Sequence, residues 1–134
     1  MEGNDLKDCN DAVFVKQFHN GVTRILIMWI ISKGKIHGYG ISKELDNFFS
    51  IFKKSNDNKS SHFNPAKIYP ILKNMEDKGL LESEGGVINN KKVKLYSLTD
   101  KGQESLEMIR KGWASLLNDD LWIEFFRDMT GFNK

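Results

Sequence analysis

The sequence predicts a mainly α-helical domain that carries one small β-hairpin and closes with a C-terminal helical region. Three observations predict it. Apolar residues recur at i, i+3, i+4 and i+7 in several separate stretches, the spacing that gathers side chains on one face of a helix. Two short runs of strand-forming residues flank Asn89-Asn90, a turn pair tolerant of positive φ. The chain has 134 residues, 40% hydrophobic and 28% charged, which suits one domain with a real core.

The elements follow in order. Residues 1–12 read as a polar arm. Phe14, Val15 and Phe18 suggest a short helical turn, broken at His19-Asn20-Gly21. Val22, Ile25, Leu26, Trp29 and Ile30 then mark a strong helix; Ile27, Met28 and Ile31 make it apolar nearly all round, as befits the middle of a core or a subunit contact. Gly34 ends it, and Gly38-Tyr39-Gly40 opens a second helix with Ile41, Leu45, Phe48, Phe49 and Phe52 on one face. Lys53 to Ser61 has no apolar residue and reads as a loop. Asn64-Pro65 is a helix start, since asparagine caps free N–H groups and proline suits the first helical position. Ile68, Ile71, Leu72 and Met75 form the stripe of that third helix, and Lys78-Gly79 stops it. Pro70 sits inside it, so a tightened or kinked first turn is expected. Leu80 to Val87 and Lys92 to Leu98 read as strands, with a bulge or flare at Gly85-Gly86. Thr99 caps a fourth helix, whose seam is Leu106, Ile109, Trp113, Leu116 and Leu117. After Asn118-Asp119-Asp120, the residues Trp122, Phe125, Phe126 and Met129 repeat the helical period, as a final helix or a bent continuation.

Three short helices followed by a β-ribbon is the winged helix-turn-helix order, and its dimensions suit duplex DNA: a helix fits the major groove while a hairpin beside it reaches phosphates. The charge distribution agrees. Residues 33–101 hold 13 Lys, no Arg and 8 acids, a net +5, while the rest of the chain is −3. On the third helix, Ala66, Pro70, Lys73 and Asp77 lie opposite the apolar stripe, Lys67 and Asn74 flank one side and Tyr69 the other. Lys67 and Lys73 can meet phosphates or guanine, Asn74 adenine, and Tyr69 a phosphate; Asn64 can do the same at the helix start. Asp77 is expected to turn toward a neighbouring lysine. Around the hairpin turn, Lys91, Lys92 and Lys94 offer salt-sensitive phosphate contacts. The expected organisation is an arm and short helix over 1–20, a winged-helix DNA-binding domain over 21–99, and a helical dimerisation region over 100–134.

Other classes fit poorly. Cys9 is the only cysteine, so there is no internal disulfide, and a reducing, cytoplasmic setting is the economical reading. The longest apolar run, Ile25–Ile31, is seven residues, far short of the ~18 that span a bilayer. The acidic start is the wrong charge for a secretory leader. His19, His37 and His62 have no partner at metal-ligand spacing, and the glycines of 34–40 are not a phosphate-binding loop. Neither an enzyme nor a metal or other cofactor is expected.

Three ordered blocks resemble the PadR-like transcriptional regulators. Ile36-His37-Gly38-Tyr39-Gly40-Ile41 is similar to the HGYEI block that opens the family's second helix. Lys67 to Leu80, with its Tyr69-Pro70, Leu72, Glu76 and Gly79-Leu80, resembles the recognition helix. Lys94-Leu95-Tyr96-Ser97-Leu98-Thr99-Asp100-Lys101-Gly102 resembles the wing strand and the start of the last helix. Together they span roughly residues 22–118. Departures are Gly40 in place of glutamate, a long linker before Asn64-Pro65-Ala66, and wing lysines where the family tends to arginine; lysine binds phosphate as a point charge.

The resemblance implies a DNA-binding transcriptional regulator, by family habit a repressor, acting as a homodimer through its C-terminal helices. The residues agree with the dimer: Trp113, Leu116, Leu117, Trp122, Phe125 and Phe126 form more apolar surface than a terminal appendage leaves in water. Aromatic residues at the dimer centre of some relatives bind flat hydrophobic compounds, which makes Trp113 and Trp122 candidates for a small hydrophobic effector. The competing reading is a winged-helix protein-interaction module that does not bind DNA.

Overall fold

The computed structural model describes residues 14–50 and 65–131, with side chains from residue 21 onward. The N-terminal arm, the 53–61 loop, Phe52 and Asn64 lie outside the described residues. Helix α1 (Phe14–Ser32) leads into a two-residue strand β1 (Ile36–His37) and helix α2 (Gly38–Phe49). Helix α3 (Pro65–Asp77), strands β2 (Leu81–Ile88) and β3 (Lys91–Leu98), and helices α4 (Asp100–Leu117) and α5 (Asp120–Thr130) follow. This is a winged helix-turn-helix with a helical C-terminal extension.

Helix α1 is continuous through His19-Asn20-Gly21, where the sequence suggests a break. One glycine inside a helix costs only about 1 kcal/mol relative to alanine. The burial of Ile27, Met28, Ile30 and Ile31 further along anchors the same rod and outweighs that cost. Helix α2 buries Ile41, Leu45 and Phe49, whereas Phe48 stays partly exposed and packs edge-on against Trp29, ring centroids 5.8 Å apart.

Helix α3 puts Ile68, Leu72 and Met75 wholly out of solvent at the centre of the core. Its α-helical pattern runs through Pro70 without interruption, so the expected disturbance of the first turn is absorbed. Pro70 and Ala66 both lie on the exposed face, where the carbonyl that loses its partner meets water. The helix ends in a Schellman motif: Gly79 takes φ 80°, its N–H donates to Glu76 O at 2.9 Å, and Leu80 N–H donates to Met75 O at 2.9 Å.

The sheet order is β1-β3-β2, all antiparallel. Strand β1 is an addition to the expected hairpin, pairing Ile36 with Tyr96 and His37 with Leu95. The hairpin register is unbroken from Leu81↔Leu98 to Ile88↔Lys91, so Gly85-Gly86 form no bulge. Gly86 instead leaves room for the Leu95 side chain, which a Cβ there would meet at 2.7 Å. Asn89 and Asn90, at φ 52° and 67°, make the tight turn whose twist matches the strands.

Helix α4 is capped as expected: Thr99 Oγ1 accepts from Gly102 N at 3.0 Å. The same hydroxyl donates to the Gly79 carbonyl, and Thr99 N–H donates to Leu80 O at 3.1 Å. Gly102 is buried against Leu80, so closely that any side chain would collide with the Leu80 carbonyl oxygen. Leu106 belongs to the core and Ile109 packs on it, so the first half of α4 is part of the winged unit's packing. Helix α5 is a separate helix. Asn118 turns its Nδ2 back to Ala114 O at 2.9 Å, and Asp119 Oδ2 caps the new start by accepting from Leu121 N and Trp122 N. None of the residues of α5 is buried.

Gly102→Ala forces a methyl into backbone and is expected to cost about 3 kcal/mol. Gly112→Ala, in the same helix but with open space around it, is expected to gain up to ~1 kcal/mol from helix propensity. Thermal denaturation of the two variants checks this contrast; a tolerated Gly102→Ala would contradict the packing.

Candidate nucleic-acid interface

Helix α3 faces the core with one stripe and solvent with the other. Ala66, Lys67, Tyr69, Pro70, Lys73 and Asp77 are exposed, and Asn74 is half-buried. Lys73 Nζ lies 3.9 Å from Asp77 Oδ1, a loose pair with both side chains more than two-thirds exposed, so the acid does turn toward a lysine. In water such a pair holds weakly, and Lys73 can exchange it for an anion at little cost.

Asn74 is held differently from the sequence expectation. Arg24, on α1, donates its Nη2 to Asn74 Oδ1 at 3.1 Å. The bond occupies one of the two lone pairs of Oδ1 and leaves the other available. Arg24 therefore stands beside the recognition helix, where sequence reasoning did not look, because nothing in the chain marks residues 50 positions apart as neighbours.

Between α3 and the hairpin runs a cleft of about 390 Å³. Its walls are Tyr69 and Lys73 from α3, Lys92 and Lys94 from β3, His37 from β1, and Gly38 and Tyr39 from the start of α2. The structure thus brings together four of the expected contact residues. Lys92 and Lys94 share one face of the strand because side chains alternate with period two. Lys91 falls on the other face beside the turn and does not line this cleft; Lys67 lies on the outer face of α3 outside it.

Glu76 and Tyr96 form the floor, and neither was among the expected site residues. Ser83 Oγ donates to Glu76 Oε2 at 2.8 Å, tying the end of α3 to β2. Tyr96 is 3% exposed. Burial pushes its phenol above the ordinary tyrosine value, and the negative charge of Glu76 and then Tyr69 push the same way. Glu84 of β2 pairs at 2.7 Å with Lys35, just before β1, across the intervening β3.

The C-terminal aromatic residues divide into two groups. Trp113 lines an apolar cleft of about 330 Å³ with Ile25, Leu26, Trp29, Phe48, Leu106, Ile109 and Arg110. Trp122 is elsewhere, in a cluster with Phe125 and Phe126 at centroid separations of 5.6–5.9 Å. Leu121, Trp122 and Phe125 border a broader cleft with Glu124 and Asp128. Among the described residues, Trp113 and Trp122 thus line different clefts. Leu116 is half-buried, while Leu117, Trp122, Phe125 and Phe126 remain exposed. Among the described residues, no group of three or more His, Cys, Asp or Glu could hold a metal ion, and no helix is long and apolar enough to cross a membrane.

A helix backed by a three-stranded sheet, with lysines and tyrosines around the cleft between them, defines a winged helix-turn-helix regulator scaffold. Residues 27–108 match the Transcriptional regulator PadR-like family, and the chain belongs to that family. A transcriptional regulator of Mycobacterium tuberculosis is 23% identical over 107 residues, covering 80% of this chain and 90% of its own. The crystal structure of a PadR-like transcriptional regulator from Bacillus cereus is 30% identical, with a TM-score of 0.59 over 75% of this chain and 88% of that one. Bacillus subtilis PadR, crystallised in complex with operator DNA, is 26% identical with a TM-score of 0.51, over 64% of this chain and 44% of that one.

The Tyr96 environment has a pH consequence. The folded state holds this proton above the ordinary value of 10.0, so the stability linked to it is present below that value and lost as pH rises through the folded one. Tyr96→Phe is expected to remove a late step from the alkaline tyrosinate absorbance and to flatten the decline in stability above about pH 10. Identical alkaline titrations of the two proteins would contradict the assignment.

Proposed function

We propose that the chain is a homodimeric, sequence-specific DNA-binding regulator that acts as a repressor and is released by a small hydrophobic ligand. The observation that carries this reading is the convergence of Lys73 and Tyr69 with Lys92 and Lys94 around one cleft. On this reading α3 enters the major groove, with Lys67, Lys73 and Tyr69 meeting phosphates or base edges. Asn64, before the start of α3, and Asn74, toward its end, contribute as well. The hairpin follows the adjacent backbone, Lys92 and Lys94 from the cleft and Lys91 from the turn. The Bacillus subtilis relative in complex with operator DNA supports the same mode of action. The protein acts by binding, not catalysis, in the cytoplasm where its DNA is.

The second copy is the partner that best fits the apolar surface of α4 and α5. Trp122 is 43% exposed, Phe125 49% and Leu117 63%, apolar surface that water disfavours. A dimer buries it and sets two recognition helices at a fixed spacing, which half-sites on DNA then match. Trp113, within its apolar cleft, and Trp122, at the dimer seam, are the candidate ligand contacts.

Titration of fluorescent duplex from the region upstream of the protein's own coding sequence, at two salt concentrations and alongside sedimentation, tests the reading. Tight binding by a dimer, stronger than to scrambled duplex, is expected; a well-folded dimer that binds no duplex at low salt overturns it in favour of a protein-contact role. Replacing Lys91, Lys92 and Lys94 together with Ala is expected to reduce the salt slope by roughly 0.9 for each lysine that meets a phosphate. An unchanged slope removes the hairpin from the interface. Trp122→Ala is expected to shift the sedimentation equilibrium toward monomer, and an intact dimer at the same concentration refutes that role.

A further inference from the structure

Gly38 opens α2 and is buried, and the ring of Tyr69 from α3 lies directly on it. A Cβ at Gly38 would stand 2.5 Å from Tyr69 Cε1 and 3.0 Å from both Cζ and Oη. Real side chains do not approach so closely, so any residue larger than glycine must displace the ring. Nor does backbone conformation require the glycine: the positive-φ glycines among the described residues are Gly34, Gly79 and Gly131. On helix propensity alone, alanine is the better residue inside α2. What the missing side chain provides here is therefore a seat for the phenol.

That seat has a direction. Tyr69 is 48% exposed and sits one turn before Lys73. Its ring borders the cleft that also holds Lys92 and Lys94. Resting on Gly38, the phenol hydroxyl is held at the junction of the recognition helix and the start of α2.

We propose that Gly38 is a positioning residue for DNA recognition: by lacking a side chain it seats the Tyr69 ring and aims its hydroxyl at a phosphate of the bound duplex. The inference rests on the DNA-binding reading above and adds to it a residue that makes no contact with DNA itself. Because Tyr69 is the far end of an exposed side chain, Gly38→Ala displaces the ring without opening the core. Its effect falls on binding rather than on folding.

The test is a double-mutant cycle of the native chain, Gly38→Ala, Tyr69→Ala and the double variant. Each is titrated with the same fluorescent duplex at low salt and melted in the absence of DNA. Gly38→Ala is expected to weaken binding about tenfold, the scale of one displaced hydrogen bond to a charged oxygen, with the melting temperature unchanged or raised. In the Tyr69→Ala background the same change is expected to have no further effect, since the ring it displaces is gone. If Gly38→Ala lowers the melting temperature, adding Tyr69→Ala is expected to restore it, and failure to restore it overturns the proposal. Native-like binding by Gly38→Ala, or an equal loss with and without Tyr69, also overturns it. A native chain that binds no duplex overturns the DNA reading and this inference together, whereas a native chain that binds beside an unaffected Gly38→Ala overturns this inference alone.

Discussion

The close approach of Gly102 to the Leu80 carbonyl fixes how the recognition helix, the hairpin and α4 sit relative to one another. Thr99 completes the junction by three bonds: its hydroxyl accepts from Gly102 N and donates to Gly79 O, and its N–H donates to Leu80 O. Lys101 adds a fourth contact, donating Nζ to Lys78 O at 2.8 Å. Each donor or acceptor here terminates an element: the C-terminus of α3, the base of β2, the end of β3 and the start of α4. Free helix ends leave polar groups unsatisfied, and this junction satisfies two helix ends against each other. The base of the hairpin is thereby joined to the C-terminal end of α3.

From that frame the electrostatics of the cleft follow. Its rim is basic and its floor is not. Glu76, half-buried and bonded to Ser83, lines the floor with Tyr96 and offsets part of the surrounding positive charge. An anion approaching from solvent meets Lys73, Lys92 and Lys94 first, which suits a polyanion that passes over the cleft more than one that enters it. Glu84 of β2 does not line the cleft and is engaged by Lys35 across β3. This segregation is finer than the net charge of +2 reveals.

Much of the fold was legible because its signals are local. The stripe Ile68, Ile71, Leu72, Met75, the Asn89-Asn90 turn and the Thr99 cap each encode their own geometry within a few residues. Strand β1 was illegible because two residues carry no period, and only pairing with Tyr96 and Leu95 makes them a strand. The His19-Asn20-Gly21 break was misread because local cost was weighed without the core that outweighs it. At the candidate site, the exposed face of α3 could be drawn from helical geometry, but Arg24 on Asn74 and Glu76 near Tyr96 are long-range facts. So is the separation of Lys91 from Lys92 and Lys94, which depends on the strand's phase and not on the lysine run. The two tryptophans were grouped by chemistry, and the Asn118-Asp119 break parts them by giving α5 its own axis.

Release by a ligand, on the proposed reading, requires an element that touches both the apolar cleft and the DNA face, because coupling passes through packed, rigid contacts. Helix α1 meets that requirement. Arg24 bonds Asn74 on the recognition helix, and its neighbours Ile25, Leu26 and Trp29 wall the cleft beside Trp113. These contacts lie within two turns of one continuous helix, so a shift of its axis that widens the cleft also moves the guanidinium on Asn74. The interior side of α1 leaves little slack: Ile27 and Ile31 are 0% and 3% exposed, and close-packed cores respond to added volume by displacement, not compression. A ligand wedged between Trp29 and Trp113 would therefore act on α3 through α1.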